Sequence, residues 1–208
     1  MVVCSTLFYI KEDYMEFPAS PGDLNAHWLN EVLHENEFLR NHNITSLTQE
    51  SIGAGEGFSS EIVRLIVQYD ADSENLPKTM IGKFLPPQPW AREAVLRARV
   101  FETEVNFYRD MASKVPLRTP EFIYGEEDTE KGNYILILKD YSHCRKLDQW
   151  EGMDEDLAKR IIVRLADFHS RWWALKTFIH FRGCQELPVP LSTCWHLVSN
   201  GLKNLCLQ

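Results

Sequence analysis

Apolar residues in this chain follow two periods, and the switch between them divides it. Leu24, Trp28, Leu29, Val32 and Leu33 recur every three to four positions, which predicts an amphipathic helix with Asp23 as its cap. Between Glu61 and Tyr69 the period becomes two. Val63, Leu65, Val67 and Tyr69 share one face, as in a half-buried strand. Thr79 to Leu85 reads as a second strand, closed by Pro86, Pro87 and Pro89. Glu93 to Ala112 reads as one long helix, and Lys114 to Pro120, with two prolines, as a connector. Asn133 to Leu138 is a short apolar strand, followed by a polar, irregular stretch from Lys139 to Leu147. A last helix runs from its cap Asp154 to Ala174, with Leu157, Ile161, Leu165, Phe168 and Trp172 on one side. Residues 1–20 and 183–208 show no convincing period. Strands that follow one another without an intervening helix predict antiparallel pairing, and so an α+β fold.

Composition narrows the class. The chain has 208 residues, 44% hydrophobic and 25% charged, a globular profile. A net charge of −8 and a pI near 5.4 argue against nucleic acid or an anionic membrane as partner. They leave room for a nucleotide, which one lysine and a few backbone N–H groups can hold. Five scattered cysteines without C-x-x-C spacing argue against a disulfide framework and for a reducing compartment, so a cytoplasmic location is expected. No apolar run approaches the roughly 20 residues of a membrane span. The first ten residues lack a basic leader.

Candidate chemistry begins at Ser51 to Ser60, which holds Gly53, Gly55 and Gly57, followed by Phe58, Ser59 and Ser60. Alternate glycines let backbone N–H groups approach a phosphate closely. A Walker A loop would end in Gly-Lys-Ser/Thr, and a dinucleotide fingerprint would open a helix; neither pattern fits here. A glycine loop between two strands is the arrangement kinases use over nucleotide phosphates. A flexible hairpin turn explains the glycines equally well.

Lys83 shares a strand face with Ile81 and Leu85, where its charge needs a partner or a route to water. Glu104 lies among Val100, Phe101, Tyr108 and Met111 at helical spacing, inside the apolar stripe or at its edge. Glycine loop, strand lysine and helix glutamate come in a fixed order, and a buried lysine and glutamate can satisfy each other. The strand end Tyr134 to Tyr141 could offer backbone groups to an adenine edge, or be an ordinary strand end.

Together these segments resemble the ecdysteroid kinase-like family, of the aminoglycoside phosphotransferase and choline kinase group of the protein-kinase-like fold. The resemblance rests on Ile52 to Ser60, Leu76-Pro77-Lys78, Ile81-Gly82-Lys83, Phe101 to Arg109, Arg118-Thr119-Pro120, Leu136 to Tyr141 and Leu165 to Trp173. It implies a kinase-like N-lobe over 23–138 after a lead-in at 1–22. A hinge at 139–147, the start of a C-lobe at 148–176 and a divergent tail at 177–208 follow. It further implies ATP-dependent phosphorylation of a hydroxyl on a small alcohol, with magnesium. By position, Lys83 would hold the phosphates, Glu104 would orient Lys83, and Gly53 to Ser60 would cover the phosphates. Lys139, Asp140 and Tyr141 would line the adenine.

One departure is plain. The family carries a His-x-Asp catalytic loop and a later magnesium-binding aspartate, and no His-x-Asp follows His169 here. Asp167-Phe168-His169 lies within a helical stripe, with His169 repeating with Ile162, Leu165 and Trp172, and reads as packing rather than metal binding. The expectation is a chain that lacks the catalytic aspartate and the magnesium ligands, and is inactive alone. The alternative is a non-catalytic nucleotide-binding or interaction module.

Overall fold

The computed structural model describes residues 17–52, 59–71, 75–144, 147 and 151–172. Its strands are β1 (Ile44–Ile52), β2 (Glu61–Tyr69), β3 (Thr79–Phe84), β4 (Phe122–Asp128) and β5 (Asn133–Lys139). They form one sheet in the order β1-β2-β3-β5-β4, with every neighbouring pair antiparallel. The lead-in through Glu16, the glycines Gly53 to Gly57 with Phe58, and everything from Trp173 onward lie outside the described residues.

One face of the sheet packs on helix α1 (Ala26–Glu35). Trp28, Leu29, Val32 and Leu33 are buried there with Val63, Leu65, Val67, Met80, Phe84, Ile135 and Ile137. Trp28 meets the ring of Tyr124 edge-on, centroids 5.3 Å apart. Each such fully buried side chain contributes about 1.5–3 kcal/mol. The cap of α1 is not Asp23 but Asn25, whose Oδ1 accepts the N–H of Trp28 at 3.0 Å. Asp23 belongs to a 3-10 turn (Pro21–Asp23), and its carboxylate accepts the Ser20 hydroxyl at 2.7 Å.

The opposite face carries the helical segment predicted as one piece, and here the chain breaks it. Helix α2 (Pro89–Arg97) starts on a proline, which tolerates a first helical position. Helix α3 (Val100–Asn106) follows, then a π-helical turn (Phe107–Met111) and a 3-10 turn (Ala112–Lys114). The break is Arg99, in the left-handed region at φ 51°. That conformation disfavours a side-chain-bearing residue. Local bonds hold it: the Arg99 guanidinium grips both oxygens of Glu102, and the Arg99 carbonyl accepts Thr103 N–H at 3.1 Å and its hydroxyl at 2.9 Å.

Phe101, Val105, Tyr108 and Ala112 then pack on Leu85, Tyr134, Leu136 and Leu138. Gly125 in β4 is what lets α3 sit this close. A Cβ there would stand 2.9 Å from the Phe122 ring and 3.1 Å from Leu136 Cδ1, with Val105 just above.

Strand β4 had no counterpart in the periodicity. It ends in a turn where Asp128 Oδ1 accepts the N–H groups of Glu130 and Lys131 at 3.0 and 2.9 Å, and Gly132 takes φ 63°. After the linker, α4 (Glu155–Trp172) is capped by Asp154, whose Oδ1 accepts Leu157 N–H at 2.7 Å. Ile162 and Val163 point outward, so Ile162 shares no buried face with His169. Cys144 is the only cysteine among the described residues, and it is disulfide-bonded. No helix among the described residues is long and apolar enough to cross a membrane.

Candidate nucleotide site

Lys83 sits in the middle of the sheet, paired across to Ile62 of β2 and Leu136 of β5. Period two turns it away from α1 and toward α3. There Lys83 Nζ donates to Glu104 Oε1, with the two side chains only 14% and 11% exposed. Tyr134 closes the other side. Its hydroxyl donates to Glu104 Oε2 at 3.4 Å, and Phe101 lies on its ring with centroids 4.1 Å apart. Burial first, and then the Glu104 charge, push the Tyr134 phenol well above its ordinary range, so it stays a donor. Glu104 is thus held from strand, helix and ring at once.

The register fixes where the glycine loop leaves the sheet. Ile62 pairs with both Ile52 and Lys83, so the segment joining β1 to β2 departs at the level of Lys83. Gly53, Gly55, Gly57 and Phe58 themselves fall outside the described residues. Ser59 is exposed and Ser60 half-buried, at the entry to β2. The face that Lys83 shares is covered by α3 only over β3, β5 and β4. Toward β1 and β2 it opens: Glu50 and Ile66 are exposed, and Ile62 and Arg64 are half-buried.

Lys139, Asp140 and Tyr141 stand at the far end of β5, where Lys139 pairs with Met80. Three residue steps along the strand separate that level from Lys83, about 10 Å at 3.3–3.4 Å per residue. The side chains there are already engaged. Lys139 Nζ bonds Glu121 Oε2 at 3.0 Å, and its N–H donates to the Glu121 carbonyl at 3.0 Å. The Tyr141 carbonyl accepts Cys144 N–H at 2.8 Å, and its ring lies near His143.

Asp140 is turned inward, its side chain 3% exposed. Arg64 Nε donates to its Oδ2 at 3.0 Å and Ser142 N–H to its Oδ1 at 2.8 Å. Arg64 Nη1 also bonds Glu50 Oε2 at 2.6 Å. Burial pulls the Asp140 carboxyl up, but Ser142, the Thr79 side chain and Arg64 outweigh it and hold it below its ordinary 3.8. Asp140 therefore fastens the linker to β2 and leaves only main chain to face a ligand.

This gives an acid-sensitivity prediction. A carboxylate with a lowered folded-state pKa stabilises the fold above its unfolded value, and loses that contribution as pH falls through the folded value. Asp140→Asn is expected to cost about 1.5–3 kcal/mol at pH 7. In urea melts from pH 7 to pH 2, the gap between variant and wild type closes below pH 3.8. A gap that stays constant to pH 2 rules out the charge as its source.

Arg64 was not anticipated. Its only signal is that it is the one charge on the alternate face of β2, and its partner Asp140 lies 76 residues away. Asp167 is bound to Arg171 one helical turn on, at 3.2 and 3.3 Å, while His169 is half-buried beside the Phe168 ring.

With the lysine–glutamate pair placed, comparison with known families is decisive. The profile of the ecdysteroid kinase-like family matches residues 54–178, more than half of the chain. The chain belongs to the ecdysteroid kinase-like family. Its five-stranded antiparallel sheet with α3 against one face is the small lobe of the kinase-like fold, and α4 follows it within the matched region. The match spans the glycine-rich segment from Ala54, Lys83, Glu104, the linker and α4. Comparison with curated proteins finds no match, and comparison with solved structures finds none.

Proposed function

We propose that this member of the ecdysteroid kinase-like family holds ATP on the open sheet face. Lys83 lies on the phosphates, Glu104 orients it, and Gly53 to Ser60 cover it. The main chain of Lys139 to Tyr141 receives the adenine. One observation carries the reading: the Lys83–Glu104 pair lies at the edge of that open face. A buried ion pair is a poor source of stability, because desolvation offsets the attraction. Placing such a pair at the edge of an open face makes sense when its lysine serves a ligand. The roughly 10 Å between Lys83 and the linker suits a nucleotide lying along the strand, base at one end and phosphates at the other.

Magnesium is a separate matter. Among the described residues no group of three His, Cys, Asp or Glu side chains could hold a metal ion. Asp167 is committed to Arg171, and no His-x-Asp follows His169. The described residues therefore offer a lysine to the nucleotide and no cluster for its metal, which would arrive on the triphosphate. Phosphoryl transfer depends on positioning and charge neutralisation by those missing groups. The family's chemistry would be transfer to the hydroxyl of a small alcohol, ecdysteroid- or choline-like. This 208-residue chain would bind the nucleotide without transferring it. Incubating the chain with labelled ATP and a panel of alcohols is expected to yield retained nucleotide and no labelled alcohol. Steady turnover on any alcohol overturns the binding-only reading.

A further inference from the structure

The first turn of α3 faces a second carboxylate across a cavity. This cavity, about 390 Å³, lies between the α2–α3 junction and the β4–β5 hairpin, and Leu96, Arg99, Glu102, Glu127 and Tyr134 line it. Glu127 pairs in register with Tyr134, so its side chain shares the sheet face that α3 covers. Glu102 faces it from α3 and Arg99 from the junction. Arg109, whose Nη2 bonds the Gly125 carbonyl at 3.1 Å, faces it from the π turn. Tyr134 and Asn133 stand on β5, and Glu126 and Asp128 flank it on its own strand. Glu127 is half-buried. Burial pushes its carboxyl up to about 7, Glu102 and Glu126 add to the rise, and Arg109 and Arg99 oppose it.

Arg99 is the pivot. It is the left-handed residue between two helices, and its grip on Glu102 sets where α3 begins. A charge on Glu127 repels Glu102 and competes for the same guanidinium, and the cavity gives the turn room to move. We propose that Glu127 is a proton-controlled latch on α3: protonated, it leaves the Arg99–Glu102 clasp closed; ionised, it loosens the turn two residues before Glu104.

The sign follows from linkage. A carboxyl whose proton is held more tightly in place than in water stabilises the closed turn at low pH, and that contribution is lost as pH rises through about 7. Hydrogen exchange of the Val100 to Asn106 amides at pH 6 and pH 8, corrected for intrinsic exchange, reads the latch directly. With a carboxyl near 7 in place and an ordinary 4.5 in solvent, protection in the wild type falls about tenfold. Glu127→Gln keeps the clasp closed, and its protection is the same at both pH values. Glu126→Gln retains the wild-type drop. A flat wild type, or a Glu127→Gln chain with the full drop, overturns the proposal. No nucleotide enters the measurement, so its outcome is independent of the function proposed above.

Discussion

Lys83→Ala is expected to lower the unfolding free energy by about 3 kcal/mol, although it removes a residue that the fold does not need for packing. The loss comes from Glu104. Its carboxylate stays in the buried face, 11% exposed, with only a long hydrogen bond from Tyr134. Breaking one side of a buried pair leaves an uncompensated charge, which is the expensive case, about 3–5 kcal/mol. The lower end applies because Lys83 borders the open part of the sheet. In a chain of this size that is a fall of about 6–12 °C in Tm, at 2–4 °C per kcal/mol. The double variant Lys83→Met, Glu104→Leu separates this cause from lost packing. Two apolar side chains of similar volume replace the pair, the orphan charge disappears, and Tm returns to near the wild-type value. A double variant as unstable as the single one shows that the pair was stabilising in its own right.

One residue along the same strand, on the other face, a comparable loss of stability is expected from a different cause. Phe84 is fully buried among Val63, Leu65, Met80 and the α1 side chains, on the face away from Glu104. Gly82 keeps the space beside it clear, since a Cβ there would lie 3.3 Å from the Phe84 ring. Phe84→Ala removes a ring from a well-packed core and leaves a cavity, which costs about 3–5 kcal/mol. The fall in Tm matches or exceeds that of Lys83→Ala, yet any rise on adding ATP survives, because the ligand face is untouched. Paired thermal melts of the two variants, with and without ATP, read both effects. Equal losses of the ATP response in both would mean that the response tracks stability and not Lys83.

How far the sequence foretold this arrangement depends on how local each cause is. The α1-facing stripe of β2 was legible because Val63, Leu65 and Val67 alternate without interruption and all end up buried. Lys83 and Glu104 were legible because each breaks an apolar face at a fixed period, and those faces meet. Strand β4 was not. A register irregularity between Phe122 and Tyr124 breaks its alternation, and its far end is Glu126-Glu127-Asp128, which reads as a polar loop. The break at Arg99 was hidden for a different reason. A left-handed residue is normally signalled by glycine, and here an arginine is held there by Glu102 and Thr103. The inward turn of Asp140 depends on Arg64 and Thr79, which only the sheet register brings alongside. The sequence shows a charge after a strand, and only the fold shows that the charge is spent.

The account stands or falls on whether Lys83 meets a nucleotide. Thermal unfolding of the 208-residue chain with magnesium and ATP at about 100 times the dissociation constant tests it. A ligand bound only by the folded state adds about 2.7 kcal/mol there, a rise of about 5–10 °C for a chain of this size. The same ATP is expected to leave the Tm of Lys83→Met unchanged. A wild type that ATP does not stabilise, or a Lys83→Met chain that gains as much as the wild type, contradicts the account.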